Sequence, residues 1–493
     1  LAGWNLETKK YRGTTIKREG LTVPSKPSFG LMDGLTSDPV VSGYDWSYVG
    51  AFFRANYGYQ GKYLAEFSCR YDGSSKFPEN SKWGFFPSAS IGWRLSEEKF
   101  MEWSRNWLDN FKIRLSAGSM GNGNIDPYKY IDYMTIKTST VVIGDALGSY
   151  TTAPGAIPLS LTWETATTYD VGFDMDLFRN RLSIGFDWYR RYTTDMYTVG
   201  VSLPSVYGTD APKGNNASLK TNGWELSVGW RDSFELGGKA FSYNVKAMVW
   251  DARTWVTEYI NPTGALGDYY EGKELGEIWG YRVEGLFRDQ EDIDSWAKQS
   301  FGEVKPGDIK YLDLNGDGIV DNYDTKPIGY SDIPEIVYGF GFSLQWKAFD
   351  LSAFFQGVAH VSFSTLTDQT QAFVGRNLKE SSVFADLYGN TWTPENPGAK
   401  YPRMTTGAID NNNQLSTFWM ANGRYLRLKN LELGYTLPKR IANKIAMQSL
   451  RVYLSGVNLF TFSPFKLWDP DLQTGATNYP NNRIINLGLT IGF

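Results

Sequence analysis

Large apolar and small or polar side chains alternate without exception over the last nine residues of the chain, 485–493, which ends on Phe493. Successive side chains of a β-strand point to opposite faces, so this pattern predicts a strand with one apolar and one polar face. Closing such strands into a ring leaves no unpaired edge in lipid. The pattern is therefore typical of a transmembrane β-barrel.

The same alternation recurs along the chain and predicts an all-β fold, a transmembrane antiparallel β-barrel. It indicates fourteen strands. Their approximate positions are 1–8, 50–59, 62–72, 84–95, 110–119, 166–178, 181–192, 221–232, 239–251, 337–347, 349–358, 424–437, 449–460 and 484–493. Because no linker or break in composition divides the chain, we interpret 1–493 as one architecture.

The connections between the predicted strands alternate between short and long. Those at 60–61, 179–180 and 348 are short, whereas those at 120–165 and 252–336 are among the longest. Outer-membrane barrels have short periplasmic turns and long extracellular loops, and this parity places the end of the last strand in the periplasm. The connection at 252–336 is too long for a bare loop, so we expect a large extracellular loop with structure of its own.

A soluble β-sandwich also alternates in this way, and composition favours the barrel over it. The chain is 16% aromatic, with 18 Trp, 31 Tyr and 29 Phe, many of them at predicted strand ends. Barrels carry aromatic girdles at these positions. No apolar run approaches the roughly 20 residues of a membrane helix. The single Cys69 lies in an apolar row, where it acts as a small apolar side chain.

The net charge of −4, with both signs interspersed, gives no basic patch for nucleic acid. The chain begins with neither an initiator Met nor a signal segment. We expect it to be a mature piece or fragment whose N-terminal part is missing.

Residues 313–324 have the spacing of an EF-hand calcium loop. The expected oxygen ligands are Asp313, Asn315, Asp317, the backbone carbonyl of Ile319, Asp321 and Asp324, at loop positions 1, 3, 5, 7, 9 and 12. Gly318 occupies position 6, where the sharp turn needs glycine. Asp at position 12 reaches less far than the usual Glu. The alternative is a solvated Asx-turn loop without metal. If calcium binds, we expect a structural role and a Kd on the order of 10⁻⁴ to 10⁻³ M.

Catalytic motifs are scarce, and we do not expect an enzyme. His360 is the only histidine, which excludes a His-pair zinc site and leaves one candidate base for a serine hydrolase. The sequence has no nucleophile elbow, Walker loop or dinucleotide fingerprint. A structural His360 is the expectation, and a barrel hydrolase is the alternative.

Two segments, 70–77 and 83–98, closely resemble the barrel signature of the SusC/RagA family of TonB-dependent outer-membrane transporters. They read Arg-Tyr-Asp-Gly-Ser-Ser-Lys-Phe and Trp-Gly-Phe-Phe-Pro-Ser-Ala-Ser-Ile-Gly-Trp-Arg-Leu-Ser-Glu-Glu. Segments 307–318, 349–357 and 458–462 are similar to later landmarks of the same family, as is the pair Asp469-Pro470. Together these segments span nearly the whole chain.

This resemblance implies a 22-stranded barrel with an N-terminal plug, in a Bacteroidetes-type outer membrane. It also implies a SusD-like surface lipoprotein as partner and TonB-driven import of large nutrients, either oligosaccharides or peptides. The fourteen predicted strands are eight short of that barrel, and no plug or TonB box is found in this chain. A contact with TonB is thus expected through the missing N-terminal region.

Two alternatives to active import remain open. One is a passive, porin-like diffusion channel, and the other is a calcium-ordered surface scaffold that transports nothing. The expected lumen is polar and water-filled, and the sequence does not choose between glycan and peptide.

Overall fold

The computed structural model describes residues 1–492 apart from 144–145, 153, 159–160, 201–203, 205, 207, 209–210, 263, 265–267, 368–383, 406, 446 and 476–477. The aromatic end of the last predicted strand, Phe493, lies outside the described residues.

Fourteen strands of the described chain form one antiparallel sheet, and their order in the sheet is their order along the chain. They are β1 Ala2–Thr15, β2 Val40–Tyr59, β3 Tyr63–Ser74, β4 Trp83–Arg94, β5 Leu108–Asn122, β6 Glu164–Leu177, β7 Leu182–Val199, β8 Lys213–Leu236, β9 Lys239–Tyr259, β10 Ile336–Trp346, β11 Phe349–Ala359, β12 Tyr425–Thr436, β13 Ser449–Phe462 and β14 Ile484–Gly492. Each strand pairs with the next, so that β1 and β14 form the two edges of the described sheet. The all-β fold and the fourteen strands are as predicted.

Successive connections lie at opposite ends of this meander. One end, called the short-turn end here, carries 60–62, 95–107, 178–181, 237–238, 347–348 and 437–448. The opposite end, called the long-loop end, carries 16–39, 75–82, 123–163, 200–212, 260–335, 360–424 and 463–483. The alternation predicted from sequence is therefore present along the whole sheet.

Several strands extend further at the long-loop end than the alternation predicts. Strand β2 begins at Val40 rather than at 50, and β8 begins at Lys213 rather than at 221. Strand β9 continues to Tyr259, which makes the longest connection 260–335 rather than 252–336. The predicted start of β8 was wrong because residues 214–222 have polar side chains on both faces, so that period-two hydrophobicity fades. In the β2 extension the row of Tyr44, Trp46 and Tyr48 changes to the face opposite Val49, which interrupts the apolar row.

The two faces of the sheet differ in polarity. Leu115 of β5 lies opposite Ile91 of β4 and Val171 of β6, and Val171 lies opposite Trp188 of β7. All four side chains are exposed. At the sheet edges Trp4 is 74% exposed and Leu487 is 77% exposed. A continuous exposed apolar face of this size is the lipid-facing surface of a barrel wall.

The long connections contain short elements of their own. The paired strands are Ile136–Ile143 with Ala146–Thr151, Trp279–Gly280 with Lys326–Pro327, Val283–Leu286 with Ile309–Tyr311, Lys298–Gln299 with Ile319–Val320, and Ser362–Ser364 with Met420–Asn422. The α-helices are Gln290–Asp294 and Lys439–Ala442. The 3₁₀ helices are Phe29–Leu31, Glu79–Ser81, Leu95–Glu97, Lys99–Ser104, Asn322–Asp324, Asp410–Asn413, Asn443–Ile445 and Pro470–Leu472. Within the described residues, none of the helices has the length and apolar character needed to cross a membrane.

Among the described residues, the largest buried core lies at the long-loop end rather than in the sheet. It consists of Tyr281, Ile309, Tyr311, Val320, Leu387, Tyr401 and Trp419, from both the 260–335 and 360–424 connections. We call the described parts of these two packed connections the loop domain. A second cluster, which includes Phe77 and Trp163, packs other long connections against the ends of β2, β4 and β7.

Candidate functional site

The polar face of the sheet carries ion pairs that reach across three strands. Arg114 of β5 donates from Nη2 to Asp174 of β6 at 3.1 Å and to Asp187 of β7 at 3.0 Å. At the other side of the sheet Arg451 of β13 donates from Nη2 to Glu432 of β12 at 2.6 Å and from Nε to Asp350 of β11 at 3.1 Å. Charge-assisted hydrogen bonds of this kind hold neighbouring strands in one register.

A glycine on the middle strand makes each of these bridges possible. Gly172 of β6 lies opposite both Arg114 and Asp187, and a Cβ at this position would lie 2.1 Å from the Asp187 carboxylate. Gly434 of β12 lies opposite Asp350, and a Cβ there would lie within 2.5 Å of both Asp350 and Arg451. The glycines that alternate with apolar residues thus leave room for side chains from both neighbouring strands to meet above them.

A buried polar cluster joins the two halves of the loop domain. Asp308 is fully buried, and its carboxylate accepts hydrogen bonds from Arg403 Nη2 at 3.0 Å and from Asn412 Nδ2 at 2.9 Å. Asn411 Nδ2 donates to the carbonyl of Ile309 at 2.9 Å. These partners lie about a hundred residues apart in sequence, and they fix the 307–318 segment against the 410–413 turn.

An ion pair on the same segment ties it to the short helix Gln290–Asp294. Lys310 Nζ donates to Asp292 Oδ1 at 2.8 Å and lies 3.8 Å from the ring centre of Trp296. The Lys310 hydrogen bond lowers the pKa of Asp292 to about 2. Burial raises the pKa of Tyr281, in the core of the loop domain, to about 12. Both groups therefore keep one protonation state at neutral pH.

The expected calcium loop follows directly after this cluster. Asp313 accepts backbone N–H bonds from Gly316 at 2.7 Å and Gly318 at 2.8 Å, and Gly318 has the left-handed φ of 87° that position 6 requires. Asn315 and Asp317 bond to each other and to the next amides, as Asx turns do. The carboxylates of Asp313 and Asp317 therefore accept hydrogen bonds from amides of the loop. The described residues contain no group of three or more His, Cys, Asp or Glu that could hold a metal ion.

The last three predicted ligands have different surroundings. Ile319 pairs with Lys298 in a two-residue parallel ladder, where the carbonyls of Gly318 and Val320 accept bonds from 298 and 300. The Ile319 carbonyl therefore points away from the Lys298–Gln299 strand. Asp321 caps the 3₁₀ turn Asn322–Asp324.

Asp324 closes the loop rather than facing its centre. It is fully buried, and its carboxylate accepts bonds from the amides of Leu314 at 2.7 Å and Asp321 at 2.8 Å. The donor set has the oxygen chemistry that calcium prefers, and the loop would have to draw in its carboxylates to surround the ion.

A second long connection is held to the sheet by a buried arginine that the sequence pattern did not single out. Arg427 of β12 is 1% exposed and lies 2.8 Å from the Asp471 carboxylate, and it also bonds to Asp469. Its Nε donates to Thr461 of β13 at 3.0 Å. The Asp469-Pro470 landmark is therefore an anchor for the 463–483 connection.

The single histidine has a structural environment. His360 stacks on Tyr330 with ring centres 4.5 Å apart, and its Nδ1 lies 3.3 Å from the Glu335 carboxylate. Glu335 in turn pairs with Arg253 at 2.7 Å. These contacts tie the ends of β9, β10 and β11 together.

Comparisons with known proteins agree with this architecture. A family model described as TonB dependent receptor-like, beta-barrel, matches residues 3–459. TonB-dependent receptor P3 of Formosa agariphila is 32% identical over 479 residues, which cover 90% of this chain and 45% of that protein. TonB-dependent receptor SusC of Bacteroides thetaiotaomicron is 28% identical over 484 residues, with 90% and 44% coverage.

The fold also matches a solved structure, that of the RagAB peptide transporter. The match has a TM-score of 0.77 and 24% identity, and it covers 100% of this chain and 53% of that one. The chain spans about half the length of the curated relatives it matches. The SusC/RagA resemblance and the outer-membrane localisation predicted from sequence are confirmed. The chain belongs to the family of TonB-dependent receptor β-barrels.

Proposed function

We propose that the protein is an active importer of large nutrients, oligosaccharides or peptides, across the outer membrane. In this proposal a SusD-like lipoprotein binds at the long-loop end, which faces the cell exterior, and TonB supplies energy. The plug and the TonB-contacting segment lie outside residues 1–493, and further strands complete a 22-stranded barrel with β1 and β14.

The packing of the loop domain is the main observation that supports this proposal. The described parts of two connections, 260–335 and 360–424, fold together around buried aromatic residues and the Asp308 cluster at the same end of the sheet. Ordering these loop residues costs conformational entropy, and a passive pore has no need of an ordered loop domain at its mouth. A packed surface at the mouth of the barrel is suited to the docking of a lipoprotein.

The two faces of the sheet support transport through its interior. Lipid contacts the apolar face, while the polar face presents the Arg114 and Arg451 ion-pair networks to water. Hydrated polar solutes of any kind are compatible with such a wall. The TonB-dependent relatives and the RagAB fold support import as the role of the complete protein.

Two experiments test the proposal and identify the substrate. The first is affinity purification of the full-length protein from outer membranes in mild detergent, with mass spectrometry of every chain that copurifies. The expected companion is a surface lipoprotein. The second compares uptake of labelled oligosaccharide and peptide mixtures by wild-type, deletion and complemented cells.

Each alternative gives a different outcome. A passive channel would admit small solutes without a lipoprotein and would show no preference between the two mixtures. A surface scaffold would copurify with a lipoprotein, yet its deletion would leave uptake of both mixtures unchanged. Loss of uptake of one mixture only, restored by complementation, supports the importer and names the substrate class.

We also propose that the 313–324 loop binds calcium in a structural role. The ligands would be the oxygens of Asp313, Asn315, Asp317, Ile319, Asp321 and Asp324, with Asp324 bonded as now to the opening amides of the loop. The oxygen-rich donor set and the left-handed Gly318 support the proposal. When bound, calcium would stiffen the edge of the loop domain next to strand Lys298–Gln299.

Elemental analysis of purified protein tests this calcium proposal. Asp313→Ala combined with Asp317→Ala should remove about one calcium per chain, whereas Glu303→Ala, an exposed carboxylate in the same connection, should not. Unchanged calcium content in the double variant, or no calcium in the wild type, would leave a metal-free Asx-turn loop.

We further propose that the protein is not an enzyme. The stacking of His360 on Tyr330 and its contact with Glu335 support a structural role. His360→Gln should retain uptake and show no change in substrate processing. Loss of a hydrolytic activity in this variant, with uptake of the cleaved product intact, would support the hydrolase alternative.

A further inference from the structure

The 95–107 connection at the short-turn end has three distinct ridges. Its 3₁₀ helix, Lys99–Ser104, repeats every three residues, so residues i and i+3 share one ridge. Met101 and Ser104 face inward, and Lys99, Glu102 and Arg105 form a charged ridge. Phe100 and Trp103 form the third ridge.

The rings on the third ridge are strongly exposed. Phe100 is 59% exposed and Trp103 is 68% exposed, and the ring of Trp103 lies 5.9 Å from that of Trp107. Large aromatic side chains clustered in this way at a strand end are not explained by packing within the chain. They mark a surface that contacts another apolar phase.

The beginning of the segment is attached on the lipid-facing side of the sheet. Glu98 accepts hydrogen bonds from Tyr63 Oη at 2.7 Å and from Trp93 Nε1 at 3.1 Å. Tyr63 and Trp93 are directly paired on the apolar face, with their rings stacked 6.4 Å apart.

The end of the segment is attached on the same side. The Trp107 carbonyl accepts a bond from the Phe178 amide at 2.8 Å, and the ring of Phe178 lies 6.4 Å from that of Trp230. Trp230 belongs to the apolar row of β8. Both ends of the segment that carries the exposed ridge are therefore attached beside lipid-facing rings.

The charges of the segment are largely paired among themselves. Glu97 lies 3.0 Å from Arg94, Glu98 lies 3.4 Å from Lys62, and Glu102 lies 3.7 Å from Arg105. Each of these three carboxylates beside the aromatic ridge therefore has a basic partner. Tryptophan and phenylalanine with this presentation are the residues that settle at the boundary of headgroups and acyl chains.

We propose that residues 95–107 form a lipid-inserted anchor, here named the aromatic foot. Phe100 and Trp103 enter the phospholipid leaflet at the short-turn end of the barrel, while the ridge of Lys99, Glu102 and Arg105 stays in water. The foot extends the girdle of β3, β4 and β8 beyond the strand ends and fixes the depth of the barrel. This inference depends on the membrane position of the sheet and is independent of which solute is imported.

Site-directed spin labelling measures the depth of the foot. The full-length protein, with Cys69→Ala and with any cysteine outside residues 1–493 also replaced, carries one nitroxide label at a time from Phe100→Cys, Trp103→Cys, Glu102→Cys or Arg105→Cys. It is reconstituted into vesicles of phosphatidylethanolamine and phosphatidylglycerol. Collision rates with oxygen, which enters lipid, and with a nickel chelate, which stays in water, give the depth. Heat-resistant migration in a gel shows that each variant has a folded barrel.

The two ridges should give opposite results. Labels at 100 and 103 should collide more often with oxygen than with the nickel chelate. Labels at 102 and 105, on the neighbouring charged ridge, should collide more often with the nickel chelate. Nickel-favoured collisions at all four positions would overturn the proposal, because the foot would then stand in water. Shielding of 100 and 103 from both reagents would also overturn it and would indicate a protein partner or a second copy on this ridge.

Discussion

Arg114 and Asp187 are joined across an intervening strand. Arg114 Nη2 of β5 donates to Asp187 Oδ2 of β7 at 3.0 Å, and Gly172 of β6 lies beneath the bond. The same arrangement joins Arg451 and Asp350 above Gly434. The polar face of this barrel wall is therefore held together by bridges between strands that are not hydrogen-bonded to each other.

Gly172→Ala should break the first bridge. The added methyl would lie 2.1 Å from the Asp187 carboxylate, so the Arg114 bond must open or β6 must shift. Hydrogen bonds to charged groups contribute about 1.5–3 kcal/mol, and we expect a loss of this order in the free energy of unfolding. Urea titration of the protein in vesicles, followed by tryptophan fluorescence, measures it.

Gly58→Ala is the matched control for this variant. Gly58 lies on β2, on the same polar face, and a Cβ there makes only an ordinary contact of 3.6 Å with Leu64. It should leave the urea midpoint within error of wild type. Equal destabilisation by the two substitutions would mean that alanine is disfavoured in the strands generally and that the bridge is unimportant.

Asp308→Asn should loosen the loop domain while leaving the sheet intact. Arg403 would lose its charged partner in a buried site, and breaking a buried ion pair costs about 3–5 kcal/mol. Hydrogen exchange with mass spectrometry should show faster exchange in 281–320 and 409–422, with β4–β7 unchanged. Glu303→Gln, whose carboxylate is exposed, should exchange like the wild type. Unchanged protection in Asp308→Asn would contradict the role of the cluster.

The loop domain should also lose stability in acid through Asp292. Lys310 lowers the folded-state pKa of Asp292 to about 2, below the roughly 3.9 of an unfolded aspartate. The stabilisation is therefore present above about pH 4 and is lost as pH falls through about 2. Pepsin should cleave within 288–312 at a rate that rises as the pH of the digestion is lowered from 4 to 2.

Asp292→Asn provides the control for the acid experiment. It removes the titrating group, so its cleavage within 288–312 should vary with pH only as pepsin activity itself varies. If wild type and variant show the same pH profile, the acid sensitivity arises elsewhere in the loop domain.

Arg427→Gln should release the 463–483 connection. Asp469 and Asp471 would both lose the buried guanidinium that holds them, and the Thr461 contact would be lost as well. We expect trypsin or chymotrypsin to cut within this connection at least tenfold faster, which corresponds to about 1.4 kcal/mol of local stability. Arg424→Gln, at an exposed arginine three residues away, should leave the rate unchanged. Equal rates in the two variants would contradict the anchoring role.

The sequence predicts the strands well where lipid imposes alternation on them. In β6, β7 and β14 the period-two pattern continues to the strand ends at the short-turn side, and the predicted bounds at that side lie within one residue of the described ends. At the long-loop end β7 continues to Val199, seven residues beyond the predicted 192. The pattern changes above the lipid. Polar residues dominate the Lys9–Thr15 part of β1, and in the 40–49 part of β2 the aromatic row Tyr44, Trp46 and Tyr48 lies on the face opposite to Val49. The existence and order of strands were thus predictable, but their length at the long-loop end was not.

The contacts within the loops were less predictable for a different reason. The spacing of 313–324 is local, and so its turns and the left-handed Gly318 could be predicted. Asp308 and Arg403 are 95 residues apart, and Arg427 and Asp469 are 42 apart. No periodicity links such pairs, because they form only when two separate connections pack together. The exposed ridge of the aromatic foot was missed because three-residue periodicity within a 13-residue connection is too short to stand out.

The most direct test of active import is energised uptake by intact cells. Cells that express the full-length protein and its copurifying lipoprotein are given the labelled oligosaccharide or peptide mixture, and the initial uptake rate is measured before and after a proton uncoupler. Import by a TonB-dependent receptor predicts that uptake falls to the level of the deletion strain when the proton gradient collapses. Uptake that continues unchanged after uncoupling would contradict the account and would leave a passive channel.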